Sequence, residues 1–260
     1  MDLRIALDRF RDAAVARFGE PAGSQLAALA RPGFELEEVT DERAATGRCA
    51  LGGPALLEPG TPWPEYDGFP LSLLAVLDTG ALAGWLGEHL PRPAGLLNVF
   101  ILEPARGVSY PPGTDFADPR WLRVLPADPA RAVPAPTPPG DAAVFDHSPL
   151  SAVPLLTMPD VWSEAVRGVD FGDEHPMAVA DALEDLYASC PEMGELSTGA
   201  SAFGWPVGEL GSIVNWEDSH THLLTLTDGP SEVPTLYFSI PTEAFRAGDF
   251  SQAVVTQETY

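Results

Sequence analysis

Apolar positions recur along this chain with two alternating periods. Leu3, Leu7, Phe10, Ala14 and Phe18 fall on one stripe at helical spacing, and Gly19 and Pro21 close that segment. A shorter helical stretch over residues 24–31 stops at Pro32 and Gly33, and FELEEVT then alternates like a strand with an acidic outer side. Residues 71–77, LSLLAVL, are apolar at nearly every position and read as an interior strand, as do residues 96–102, LLNVFIL. Between them Asp78 and Thr79 stand where they can cap a helix, ALAGWLGEHL, with Leu82, Trp85, Leu86 and His89 near one face. Residues 127–139 are rich in Pro and Ala and predict an extended connection. Helical spacing returns in PDVWSEAV and in PMAVADALEDLYASC, where Val179, Leu183, Leu186 and Cys190 share a stripe.

The strands arrive twice in similar order. Gly52, Gly53 and Pro54 precede LLAVLD, and Gly204, Trp205 and Pro206 precede LLTLTD at nearly the same distance; each block leads to a further apolar strand, LLNVFI or TLYFSI. The pattern predicts an α+β fold in which duplicated, mainly antiparallel β units pack together behind an N-terminal helical cap. The expected divisions are a cap over residues 1–33, a first β unit over 34–126, a proline-rich connection with helices over 127–198 and a second β unit over 199–260, all in one compact body. Trp63, held between Pro62 and Pro64, is expected to serve the turn that aims the first strand inward.

Charge narrows the function classes. The 260 residues hold 38 acidic side chains against 14 Arg, with no Lys, for a net charge of -24. Such a field opposes a phosphate backbone, so nucleic-acid binding is not expected. Without Lys there is no phosphate-loop lysine, no Schiff-base amine and no kinase lysine. No stretch is apolar for the length a membrane helix needs, and Cys49 and Cys190 lie far apart outside any CxxC. Two free thiols in a cytoplasmic protein are expected, with no membrane partner.

The order of motifs resembles one known family, the uncharacterised bacterial YwqG-like proteins, or DUF1963 family, over residues 34–260. Gly52, Gly53 and Pro54, then Trp63 and Pro64, LLAVLD and LPRPAGLLNVF match its first half; Gly204, Trp205 and Pro206, LLTLTD, TLYFSI and Asp249, Phe250, Ser251 and Val254 match its second. The resemblance implies a duplicated, mostly β architecture with peripheral helices, and no activity. Its members carry a Gln two positions before each strand-end Asp; Val76 and Leu226 stand there in this chain, so any contact made by those glutamines is lost.

Candidate chemistry is sparse. His220 and His222 in SHTH would point the same way from a strand, with Glu217 and Asp218 upstream and His175 or Glu174 as a conceivable third ligand; this set could hold Zn or another divalent metal and activate water as a hydrolase. Asp78 and Asp228 hold like positions in the proposed repeat, where a strand-end Asp more commonly caps the next turn. Cys49 follows Arg48, and His147 could approach it, but the spacing does not require a nucleophile. From Gly168 to Phe245 the chain has many acidic residues and no Arg. The leading expectation is therefore a non-enzymatic protein that docks a basic protein through an acidic face, immunity-like in the sense of neutralising a basic toxin, with Trp205 and Trp216 as aromatic anchors and no resident cofactor. The alternatives are the metal-assisted hydrolase and a small-molecule binder at the repeat interface.

Overall fold

A computed structural model describes residues 2–87, 90, 95–115, 118–135, 140–193, 199–206, 219–227 and 235–258. Helix α1 spans Leu3–Phe18; Asp2 caps it by accepting from the N–H groups of Arg4 and Ile5, Phe10 and Ala14 of the predicted stripe are buried together with Ala6, and Leu3, Leu7 and Phe18 are partly buried against the same core. Helix α2 runs Glu20–Ala27, four residues earlier than its apolar spacing suggested. Pro21 falls in its first turn, where a missing N–H costs nothing, so the residue read as a stop is a start. Arg31 consequently opens strand β1, Arg31–Glu38.

The remaining elements are β2 (Ala50–Leu51), β3 (Leu56–Leu57), β4 (Glu65–Tyr66), β5 (Phe69–Pro70), β6 (Ser72–Asp78), α3 (Thr79–Leu86), β7 (Leu96–Ile101), β8 (Leu122–Ala127), β9 (Val133–Pro134), β10 (Ser148–Thr157), α4 (Glu164–Arg167), α5 (Pro176–Ser189), β11 (Ala200–Phe203), β12 (His220–Thr227), β13 (Thr235–Pro241), α6 (Thr242–Ala247) and β14 (Val254–Glu258). Ten strands form one sheet in the order β14-β13-β12-β11-β1-β10-β2-β6-β7-β8, every pairing antiparallel. Strand β8 lies beside the 3-10 turn Phe250–Gln252 that leads into β14, so the two ends of the sheet approach and the sheet curls toward a barrel.

Helices α1, α2, α3, α5 and α6 lay their apolar sides on one face, in a core that joins Phe10, Leu26, Leu82, Leu183 and Phe245 to Phe34, Leu77, Leu156 and Phe238 of the sheet. A second core lies under β6–β8, around Leu71, Leu73, Val76, Phe100 and Trp121. Trp63 packs edge-on to Phe100 at 5.2 Å and donates its indole N–H to the Leu71 carbonyl at 2.8 Å, fixing the turn to the strand it introduces.

Residues 127–198 are more than a connection, because they supply β10, the strand paired along its length with β1. Pro149 and Pro154 hid it, since proline is ordinarily excluded from sheet interiors. The N–H of Leu150 bonds Cys49 O and that of Ala152 bonds Thr46 Oγ1, both away from β1. By alternation the missing N–H of Pro154 falls on that same side, beyond the two-residue pairing with β2.

From the β1–β10 pair outward, the sheet runs β11, β12, β13, β14 one way and β2, β6, β7, β8 the other. In β6–β7, pairs run from Asp78–Leu96 to Ala75–Val99; Leu74 is skipped, and Leu73 meets Phe100. In β12–β13, pairs run from Thr227–Thr235 to Leu224–Phe238; Leu223 is skipped, and His222 meets Ser239. Gly52 and Gly53 follow β2 with φ of 56° and 74°; Phe203 and Gly204 end and follow β11 with φ of 60° and 67°. Asp78 and Thr227 are each the fourth residue after the skipped one. Asp228 lies outside the described residues, as do His89, Trp216, Glu217 and Asp218.

Candidate functional site

Of the acidic stretch, Asp173, Glu174, Asp181, Glu184 and Asp185 lie in a ridge along or just before α5, and Glu195, Glu209, Glu217, Asp218, Asp228 and Glu232 lie outside the described residues. His175 caps this helix, its Nδ1 accepting from the Met177 N–H, and Val179, Ala180, Ala182, Leu183 and Leu186 face the core. The opposite side turns Met177, Asp181, Glu184 and Asp185 to solvent at helical spacing, and exposed Asp173 and Glu174 extend the line past the N-terminus. No ion pair involves these five carboxylates among the described residues. Asp181 and Asp185 stand at i and i+4, a spacing at which like charges repel. Among the described residues of this stretch the exception is buried Glu192, just beyond the helix, which pairs with Arg9 at 3.1 Å.

Trp205 is no anchor for a partner on this ridge. It is buried against Tyr237, donates its indole N–H to Leu29 O at 2.6 Å, and carries the Arg31 guanidinium 3.8 Å from its ring centre. The exposed apolar side chain on the ridge is Met177, which is 53% exposed.

The two histidines of SHTH have different surroundings. His222 is buried; its Nδ1 donates to Phe203 O at 2.9 Å and its Nε2 accepts from the Thr225 hydroxyl at 2.8 Å. Both ring nitrogens are thereby committed to the protein. Burial is the main cause that pushes this imidazole down to about 4, so it stays neutral. His220 is half-buried, with Nδ1 3.1 Å from Ser219 Oγ, and lines a separate cleft. Among the described residues no three His, Cys, Asp or Glu side chains come together as a metal-binding group.

Asp78 is a cap. Its carboxylate accepts from the Ala81 N–H at the start of α3 and from the Arg48 N–H. Its own N–H donates to Cys49 Sγ at 3.3 Å. A hollow of about 260 Å³ does bring Cys49, Arg48 and His147 to common walls. Burial, opposed by the hydrogen bond from the Asp78 N–H and aided by the Asp78 charge, nonetheless pushes the Cys49 thiol up to about 11, the reverse of what a nucleophile needs. Cys49 and Cys190 are both free and buried.

Sequence spacing located the acidic stretch but not the Arg-bearing cleft beside His220. Helical spacing puts Arg31 at a helix end, whereas it opens β1. Arg246 had a usable signal, as the first Arg after the long Arg-free run.

Among the described residues no helix is long and apolar enough to cross a membrane. No curated protein matches the chain. A family model described as a domain of unknown function, DUF1963, matches residues 49–258, and the chain belongs to that family.

Proposed function

We propose that this DUF1963 protein is a non-enzymatic binding protein that docks a basic protein on the α5 ridge. The carrying observation is the row Asp173, Glu174, Asp181, Glu184 and Asp185, exposed and without ion pairs among the described residues. Exposed carboxylates held close together repel, and a helix that keeps them without basic neighbours carries that cost until a partner neutralises them. Met177 adds an apolar contact at one end of the row. An immunity-like role, in which the partner is a basic toxin, is the narrower form of the same reading. Two buried free thiols support a reducing, cytoplasmic location.

The test is retention of proteins from the native cell on the immobilised full chain. A basic protein is expected on the wild type, and none on Asp181→Asn/Glu184→Gln/Asp185→Asn. Retention should fall as salt rises from about 0.1 M to about 1 M, where the screening length shrinks from about 10 Å to about 3 Å. Equal retention by both proteins, or retention indifferent to salt, contradicts the reading.

We also infer that the two half-sheets derive from one duplicated unit. Support comes from the mirrored strand order, the bulge after four described pairs in each hairpin, and the left-handed residue pair behind β2 and at the end of β11. An experimental structure in which the rotation laying β6–β7 on β12–β13 fails to carry β2 onto β11 would end this inference.

A further inference from the structure

A cleft of about 550 Å³ opens where the start of β1, the end of β11, the start of β12 and helix α6 meet. Its apolar walls are Leu86, Phe203 and Phe245; its polar walls are Thr221, Thr242, His220, Arg31 and Arg246. No carboxylate is among its described lining residues, in a chain with 38 acidic side chains and 14 Arg. Among its described residues the cleft thus carries the opposite sign to the molecule's net charge.

The frame around it is rigid. Thr157 Oγ1 donates to Arg31 O at 3.0 Å and accepts from the Trp205 N–H at 2.7 Å, so the end of β10 ties the Phe203–Gly204–Trp205 turn to the residue that supplies one guanidinium. Trp205 lies under that guanidinium. Phe203, on the cleft wall, holds φ at 60°, a left-handed conformation that costs a bulky side chain of order 1–3 kcal/mol and is concentrated at binding sites in folded proteins. Its carbonyl is occupied by buried His222. Arg246 is exposed and makes no ion pair among the described residues.

We propose that this cleft binds a small molecule carrying an oxyanion, phosphate or carboxylate, on an apolar body. Arg31 and Arg246 meet the oxyanion, which guanidinium groups match in shape and charge, and the Thr221 and Thr242 hydroxyls flank it. Leu86, Phe203 and Phe245 cover the apolar part. The volume falls within the roughly 300–1,000 Å³ of small-molecule sites. A ligand with a single anionic group fits best, because the net charge of -24 opposes a polyanion. The site shares no residue with the α5 ridge, so it stands or falls independently of the docking reading.

The experiment is calorimetric titration of the full chain with phenyl phosphate, benzoate and benzyl alcohol at matched ionic strength. At least one of the two anions is expected to bind saturably, about tenfold or more tighter than benzyl alcohol, because a charged hydrogen bond contributes roughly 1.5–3 kcal/mol. Which anion binds tells which oxyanion the cleft takes. Arg246→Gln should weaken that anion about tenfold and leave benzyl alcohol unchanged, whereas Arg246→Lys, which keeps the charge but loses the guanidinium fork, should weaken it less than Arg246→Gln does. Arg246 is exposed, so a thermal melt of Arg246→Gln matching wild type separates lost binding from lost folding. Saturable binding by neither anion, equal affinity for benzyl alcohol, or wild-type affinity in the folded Arg246→Gln variant overturns the proposal.

Discussion

At the scale of the residue, His222 is the side chain whose surroundings most differ from its expected role. A strand pattern places it on the same side as His220, and the register is continuous between them, but the ring of His222 is buried onto Phe203 O and Thr225. Alternation tells which side chains share a face, not how deeply each is covered, so the burial of His222 was not legible there. Its folded pKa, about 4, lies below the ordinary 6.5. The unfolded chain therefore binds the extra proton first as pH falls. The contribution of neutral His222 is complete above about pH 6.5 and is lost as pH drops from there toward about 4. Chemical denaturation at pH 7.5 and 4.5 should show wild type losing about 2–3 kcal/mol more than His222→Asn over that interval. Equal losses in the two proteins would mean that His222 is not held neutral. Asp78, by contrast, was readable as a cap, because an acidic residue directly before an apolar helical run satisfies that helix's first N–H groups.

At the scale of the element, the turns and helix faces make separate demands. Gly204 has a left-handed φ of 67°, and a Cβ there would collide with Thr157 Oγ1, the atom that ties the turn to Arg31 and Trp205. Gly204→Ala should lower stability by about 1–3 kcal/mol, measured by denaturant titration, with loss of anion binding in the adjacent cleft. A variant as stable as wild type would show that the turn is not locked. Helix α5 makes the opposite prediction. Asp185→Lys places a base four residues after Asp181, replacing repulsion by attraction, and should stabilise the fold by about 0.5 kcal/mol while weakening the docking of a basic protein. A thermal melt and a binding titration on the same sample read both changes; a destabilised variant would contradict the view that the ridge is electrostatically strained. The helical stripes of α1 and α5 and the strands β6, β7, β12 and β13 were legible because their apolar spacing is regular. Strand β10 was not, because its prolines spoil the local pattern and its pairing with β1 joins residues more than a hundred positions apart.

At the scale of the whole molecule, one antiparallel sheet curls beneath a helical layer, and charge is distributed unevenly over it. Composition set the sign of the field but not its geography. Among the described residues a row of carboxylates without ion pairs lies along α5 and others, such as Asp8, Asp12 and Glu42, lie elsewhere, while Arg31, His220 and Arg246 line a cleft with no carboxylate among its described residues. Net charge alone would attract basic proteins to every side; a docking face requires that position matter as well. The decisive measurement compares the affinity of the retained basic protein for three full-length chains: wild type, Asp181→Asn/Glu184→Gln/Asp185→Asn, and Asp8→Asn/Asp12→Asn/Glu42→Gln, whose exposed acids lie off the ridge. Both triple variants lose the same charge. A loss of at least about tenfold confined to the ridge variant is expected, since each close charge pair across an interface contributes roughly 1.5 kcal/mol or more. Equal losses in the two triple variants would reduce the ridge to a share of the general acidity and contradict a docking role for α5.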